Sequence, residues 1–168
     1  SIKNKSKKKK FYFENFDTDY FVRDLNIGLK GSYLCSKIFG NMMKKNGKGV
    51  ILNIASDLSV IAPDQRLYST LQSKKPVSYS IVKHGLIGLT KYLSAYWASE
   101  NIRVNALSPG GIYDKQEKIF LKKIKKLIPL KRMLNREEIR ATIQYLCTDD
   151  SSYMTGQNII LDGGRSIL

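Results

Sequence analysis

Tyr79 and Lys83 stand four residues apart in a stretch of helical periodicity, so they share one helix face. A tyrosine hydroxyl ordinarily ionises at about pH 10, too high for an efficient base at neutral pH. An ammonium on the same face stabilises the phenolate and lowers that value. Ser56 lies just past the C-terminal end of an expected strand, Val50–Ile54. Ligands of open α/β sheets bind at such strand ends. A hydroxyl there can hydrogen-bond a carbonyl or alcohol while Tyr79 moves the proton. A hydride must come from a cofactor, because no side chain supplies one. A Tyr-x-x-x-Lys pair alone arises by chance in many helices. The joint pattern is more specific: Asn53-Ile54-Ala55-Ser56, then Tyr79 and Lys83, then a run ending Ser108-Pro109-Gly110-Gly111.

The elements that must hold these residues are legible as periodicities. From Asp17 to about Lys45, apolar residues including Tyr33, Leu34, Ile38 and Met42 recur at helical spacing. Gly28, Gly31 and Gly40 inside that helix imply close packing against something. Val50–Ile54 reads as a fully buried parallel strand after the turn at residues 46–49. Residues 57–77 are irregular. The helix from about Ser78 to Glu100 has a stripe of Val82, Leu86, Leu89 and Leu93. Ile102–Leu107 is the next strand. A basic amphipathic helix spans about Lys115 to Leu127. Asn135 is the expected cap of another helix, with Glu137 and Glu138 suited to its dipole. Asn158–Leu161 is a third buried strand. Strands alternating with helices imply a parallel α/β sheet.

With the motifs in place, the chain resembles the short-chain dehydrogenase/reductase family. The resemblance runs from about Asp24 to Gly164 and includes Tyr153-Met154-Thr155-Gly156 and Leu161-Asp162-Gly163-Gly164. It implies a Rossmann-like, doubly wound parallel sheet and use of NAD or NADP. It implies that Ser56 positions the substrate oxygen and Tyr79 is the general acid/base. Lys83 would bind the nicotinamide ribose, and Pro109, Gly110 and Ile112 would border the nicotinamide. It also implies homo-oligomers. The segment from Pro76 to Gly111, residues 92–98 above all, is similar to a bacterial subgroup linked to flagellin and surface-sugar modification, which suggests a sugar or nucleotide-sugar substrate.

Three departures qualify the resemblance. The family's glycine-rich turn, where backbone amides meet the pyrophosphate, is absent, so the fold is expected to be incomplete and the chain to be part of an enzyme. The position of the family's active-site Asn is Gly28, and Asn26 faces about 200° away on a helix. The interval between Ser56 and Tyr79 is long and carries Arg66, Lys74 and Lys75. This loop is expected to cover an anionic sugar substrate, with Arg66 contacting it. The bland alternative is a variable surface loop.

The formal charge of +15 invites a nucleic-acid reading. Nearly half of the basic residues fall in two blocks, residues 3–10 and 115–132. The first reads as part of an irregular segment, 1–15, preceding one domain over 16–168. The second reads as the wet face of a helix. No recognised nucleic-acid module accompanies them, so no nucleic acid is expected as a partner. No apolar run reaches the length of a membrane span. Cys35 and Cys147 lie in apolar stretches and read as buried, reduced thiols of a cytoplasmic protein. His84 adjoins Lys83 off the Tyr79 face and reads as a surface residue. No metal site is expected. Three functions compete: a hydride-transferring enzyme, an inactive fragment acting only as an oligomerisation partner, and a basic nucleic-acid-binding protein.

Overall fold

The computed structural model describes residues 11–68 and 74–168. The Lys-rich block of residues 3–10 lies outside them. Three strands, β1 (Gly49–Ile54), β2 (Ile102–Pro109) and β3 (Asn158–Leu161), pair in parallel in the order β1-β2-β3. Around them lie α1 (Thr18–Leu25), α2 (Gly31–Lys45), α3 (Val77–Tyr96), α4 (Lys118–Ile124) and α5 (Arg136–Cys147). β2 is the central strand and the best buried one, because it is paired on both edges and covered on both faces.

Alternation along β2 sorts the layers. Ile102 and Val104 pack with Leu93 and Trp97 of the α3 side. Arg103 and Asn105 point the other way, where Arg103 donates to the carbonyls of Leu146 and Thr148 at the end of α5 (3.4 and 2.9 Å). Helices therefore cover both faces, which is the doubly wound arrangement in partial form. β1 is only half-buried, contrary to expectation, because among the described residues one of its edges is unpaired. β3 is half-buried for the same reason.

The first helical run is interrupted. α1 and α2 are joined by a π turn, Asn26–Lys30, centred on Gly28. A Cβ at Gly28 would stand 2.5 Å from Val82 Cγ1, so a side chain there would force α3 away. Gly40 is tighter still, since a Cβ would meet the Trp97 ring at 2.1 Å. The contact face of α2 is therefore built on small residues, Ser36 and Gly40, both buried. The apolar stripe of Tyr33, Leu34, Ile38 and Met42 faces outward. Cys35 and Cys147 are likewise exposed, not buried. Each flanks a buried residue, Ser36 or Leu146, and one helical position turns a side chain by about 100°.

The basic helix is shorter than its periodicity suggests. Lys115 has a left-handed backbone (φ 55°), and Gln116 donates to the Ile112 carbonyl (2.7 Å), so α winding starts only at Lys118. At α5 the Glu138 carboxylate accepts from the Asn135 N–H (2.9 Å), completing the N-terminal cap. No helix of the described residues is long and apolar enough to cross a membrane.

Candidate active site

The C-terminal ends of β1 and β2 open into one cleft. Its lining includes Ser56, Tyr79 and Lys83 together with Pro109, Gly110 and Ile112. The structure thus brings together six of the seven residues singled out in the sequence.

Ser56 continues β1 in extended geometry (φ −167°), because Ala55 N–H still donates to Leu107 O (2.8 Å). Its hydroxyl accepts from Leu58 N–H (3.2 Å) and donates to Asp57 Oδ1 (2.9 Å). One lone pair remains, so in this arrangement Ser56 can accept from a substrate hydroxyl. To donate to a carbonyl, its proton must swing away from Asp57. Asp57 is itself held by Arg165, at 2.7 Å, with side-chain exposures of 3% and 9%. Sequence reasoning missed this pair. Asp57 adjoins the Ser56 motif, and Arg165 follows the final Gly163-Gly164 turn, but nothing in the spacing links them.

Tyr79 and Lys83 lie in the first two turns of α3, which starts directly after Pro76. Pro76 is extended at ψ 142° and cannot continue a helix from upstream, which marks where winding begins. The start is pinned a second time, by Ser78, whose hydroxyl donates to Asp24 of α1. Lys83 Nζ donates to Ile54 O at the end of β1 (2.9 Å) and stands 5.6 Å from the Tyr79 ring centroid. Burial lowers the Lys83 pKa from its ordinary value.

A second ammonium approaches Tyr79 more closely. Lys75 Nζ lies 3.6 Å from the Tyr79 ring centroid. Its backbone is clamped by Gln65, whose amide accepts from Lys75 N–H (2.9 Å) and donates to Lys75 O (3.2 Å). Burial is the largest influence on Lys75 and lowers its pKa; Asp57 opposes that shift and Lys83 adds to it.

The opposite wall is the segment after β2. Gly110 N–H donates to Leu161 O (2.9 Å), and a Cβ at Gly110 would stand 2.9 Å from the Asp162 backbone. Leu134 N–H donates to Gly111 O (3.0 Å) and accepts from Tyr113 N–H through its carbonyl (2.8 Å). The Pro109–Ile112 backbone is therefore fixed on both sides. The lack of a side chain at Gly110 lets the segment lie directly against Asp162, and the Pro109–Ile112 stretch and Lys83 are the residues that could hold the nicotinamide end of a cofactor. The fit extends to that end of a dinucleotide only, since the glycine-rich turn for the pyrophosphate is absent from the sequence.

Arg66 is the residue not brought to the cleft. Its guanidinium is 88% exposed and lies on Asp64, with Nη2 2.8 Å from Oδ2. Lys74 is directed elsewhere, 5.4 Å from the Tyr12 ring centroid. Asn26 is exposed, and Ser32 donates to Gly28 O (2.8 Å) at the π turn. His84 is exposed, its Nδ1 2.9 Å from Ser80 O.

Comparison with known proteins bears on the family and the fold. A family model described as enoyl-(acyl carrier protein) reductase matches residues 3–166. The chain belongs to the short-chain dehydrogenase/reductase family. It is 38% identical over 146 residues to post-translational flagellin modification protein A of Campylobacter coli, covering 87% of this chain and 57% of that protein. It is 36% identical to an NAD-dependent glycerol dehydrogenase of Listeria innocua, covering 92% and 59%. A short-chain dehydrogenase from Leptospira borgpetersenii, solved with bound NAD+, superposes with a TM-score of 0.86 at 36% identity, covering 92% of this chain and 59% of that one. A gluconate 5-dehydrogenase from Burkholderia cenocepacia in complex with NADP shares the fold at 24% identity (TM-score 0.83, covering 92% and 59%). The chain thus spans a little under three fifths of the length of these relatives.

Proposed function

We propose that this chain carries the reaction centre of an NAD(P)-dependent oxidoreductase that interconverts an alcohol and a carbonyl on a sugar-derived substrate. The observation that carries this reading is the convergence of Ser56, Tyr79 and Lys83 on one cleft floored by Pro109 and Gly110. When bound, the nicotinamide supplies or takes up the hydride. In the oxidative direction the carbinol carbon gives up that hydride and the substrate hydroxyl gives its proton to the Tyr79 oxygen. Reduction is the reverse, with Tyr79 returning the proton to the new alkoxide. Ser56 fixes the substrate oxygen by a hydrogen bond. Lys83, held by Ile54 O, has N–H donors left over and would hold the ribose hydroxyls of the nicotinamide. A sugar substrate is supported by the likeness to the flagellin modification protein and the polyol-oxidising glycerol dehydrogenase. The outward apolar stripe of α2 supports association with a second subunit.

The test is titration of the purified protein with NADH and NADPH, followed by turnover of polyols and keto-sugars monitored through the reduced nicotinamide. Tyr79→Phe should lower kcat by about 10²–10⁴-fold while leaving nucleotide affinity intact. Turnover unchanged in Tyr79→Phe would overturn the reading. Absence of nucleotide binding would favour the inactive oligomerisation partner.

A further inference from the structure

The charged groups lining the cleft do not balance. Lys75, Lys83 and Arg165 contribute three positive charges, and Asp57 is the single negative one. Arg165 and Asp57 neutralise each other at 2.7 Å. Lys83 is engaged with Ile54 O and carries the ribose role in the reading above. That leaves Lys75. Among the described residues no carboxylate forms an ion pair with it.

An ammonium on the face of a tyrosine gains only a modest attraction from the ring. Lysine is strongly hydrated, and taking its charge out of water costs more than a ring face returns. Lys75 is nonetheless held in place: Gln65 grips both its N–H and its carbonyl, and Pro76 stiffens the next position. A clamped, partly desolvated ammonium that makes no ion pair among the described residues, with the nearby Asp57 already held by Arg165, fits a ligand that brings its own negative charge. Its place over the Tyr79 ring puts that charge close to Tyr79, in the cleft that Lys75, Tyr79 and Ser56 all line.

We infer that Lys75 binds a carboxylate on the substrate, so that the site selects hydroxy or oxo acids over neutral polyols. This rests on the oxidoreductase reading and deepens it. It also moves the anion contact from Arg66, which lies on Asp64, to Lys75.

The experiment uses the purified protein with Lys75→Met and Lys75→Arg. Calorimetric binding is measured, with NADH present, for a panel of three- to six-carbon hydroxy and oxo acids. The matched neutral polyols and a sugar phosphate complete the panel, and hydride transfer is followed separately. The expected result is acid binding that weakens roughly 10- to 100-fold in Lys75→Met, the worth of a charge-assisted hydrogen bond, and recovers in Lys75→Arg. Polyol binding should be the same in all three proteins. Acid binding equal in wild type and Lys75→Met overturns the inference, as does no acid binding at all, or tighter binding of polyol or sugar phosphate. Lys75-dependent acid binding without hydride transfer would sustain this inference and sink the oxidoreductase reading.

Discussion

Arg165 and Asp57 meet at 2.7 Å across 108 positions of sequence, and both side chains are almost sealed from water. The turn that delivers Arg165 is itself tied. Asp162 accepts from the N–H groups of Gly164 and Ser166 (2.9 and 2.6 Å), and Gly163 and Gly164 both have left-handed backbones. The end of the sheet thereby grips the residue that orients the Ser56 hydroxyl. Removing one partner leaves a buried charge uncompensated. Arg165→Met should lower unfolding free energy by about 3–5 kcal/mol, and Asp57→Leu should do the same. The double variant should recover much of that loss. Urea denaturation of the four proteins measures it, and additive losses would show that the two residues are not coupled.

The two close-packed glycines of the first helical run give a second expectation. Gly40→Ala drives a methyl into Trp97, a ring 5% exposed that cannot move without opening the core beside Ile102 and Val104. Gly28→Ala meets the stiff Val82. Each should cost about 1–3 kcal/mol by overpacking. Gly88→Ala, with nothing within 4 Å of its Cβ, should stabilise α3 by about 1 kcal/mol. Thermal midpoints of the three variants, ranked against wild type, check the order.

Acid stability should carry the signature of Glu138. Arg132, and then the Asn135 N–H, hold its carboxyl well below the ordinary value, at about 2. A carboxyl depressed in the folded state stabilises it fully above the unfolded value of 4.5, and that gain is lost as pH falls toward 2. Glu138→Gln should therefore be less stable than wild type at neutral pH, and the two curves should converge in acid. Parallel curves across that window would rule out the linkage.

Lys75 should show the opposite sign. Its pKa is lowered by burial, with Lys83 adding to the shift and Asp57 opposing it, while the Arg165 guanidinium is already taken up by Asp57. The unfolded chain holds that proton more tightly, so the site costs stability at neutral pH and the cost fades as pH rises through the lowered pKa toward 10.5. Lys75→Met should leave the empty protein equally or more stable at pH 7. Acid-substrate affinity of wild type should fall as pH rises into the same window, while that of Lys75→Arg holds. A merely structural lysine would give a destabilised Met variant and flat pH dependence.

Local relationships were the legible ones. Tyr79 and Lys83 sit one turn apart, and Ser56 follows its strand directly, so spacing alone aligned them. Asn135 as the cap of α5 was readable for the same reason, though the bond its N–H makes to Glu138 was not read. Arg165 with Asp57 was not, since that pair depends on the β3 turn reaching back to the end of β1. Burial was also misjudged where it depends on neighbours. The stripe of α2 and the run of β1 are apolar enough for a core, yet Ile38 and Met42 are more than half exposed and β1 has an open edge among the described residues.

The π turn at Asn26–Lys30 has a bearing on how this helix tolerates change. Upstream of it, Asp24 accepts from Ser78; downstream, Gly40 seats Trp97. Both contacts address α3 and its extension, so the two half-helices must keep a common angular phase. A residue gained or lost elsewhere in an α-helix rotates everything beyond it by about 100°. The wide turn holds one residue more than regular winding needs. It is a phase reserve: the place between Thr18 and Lys45 where the chain can shed a residue and leave both ends facing the tyrosine helix.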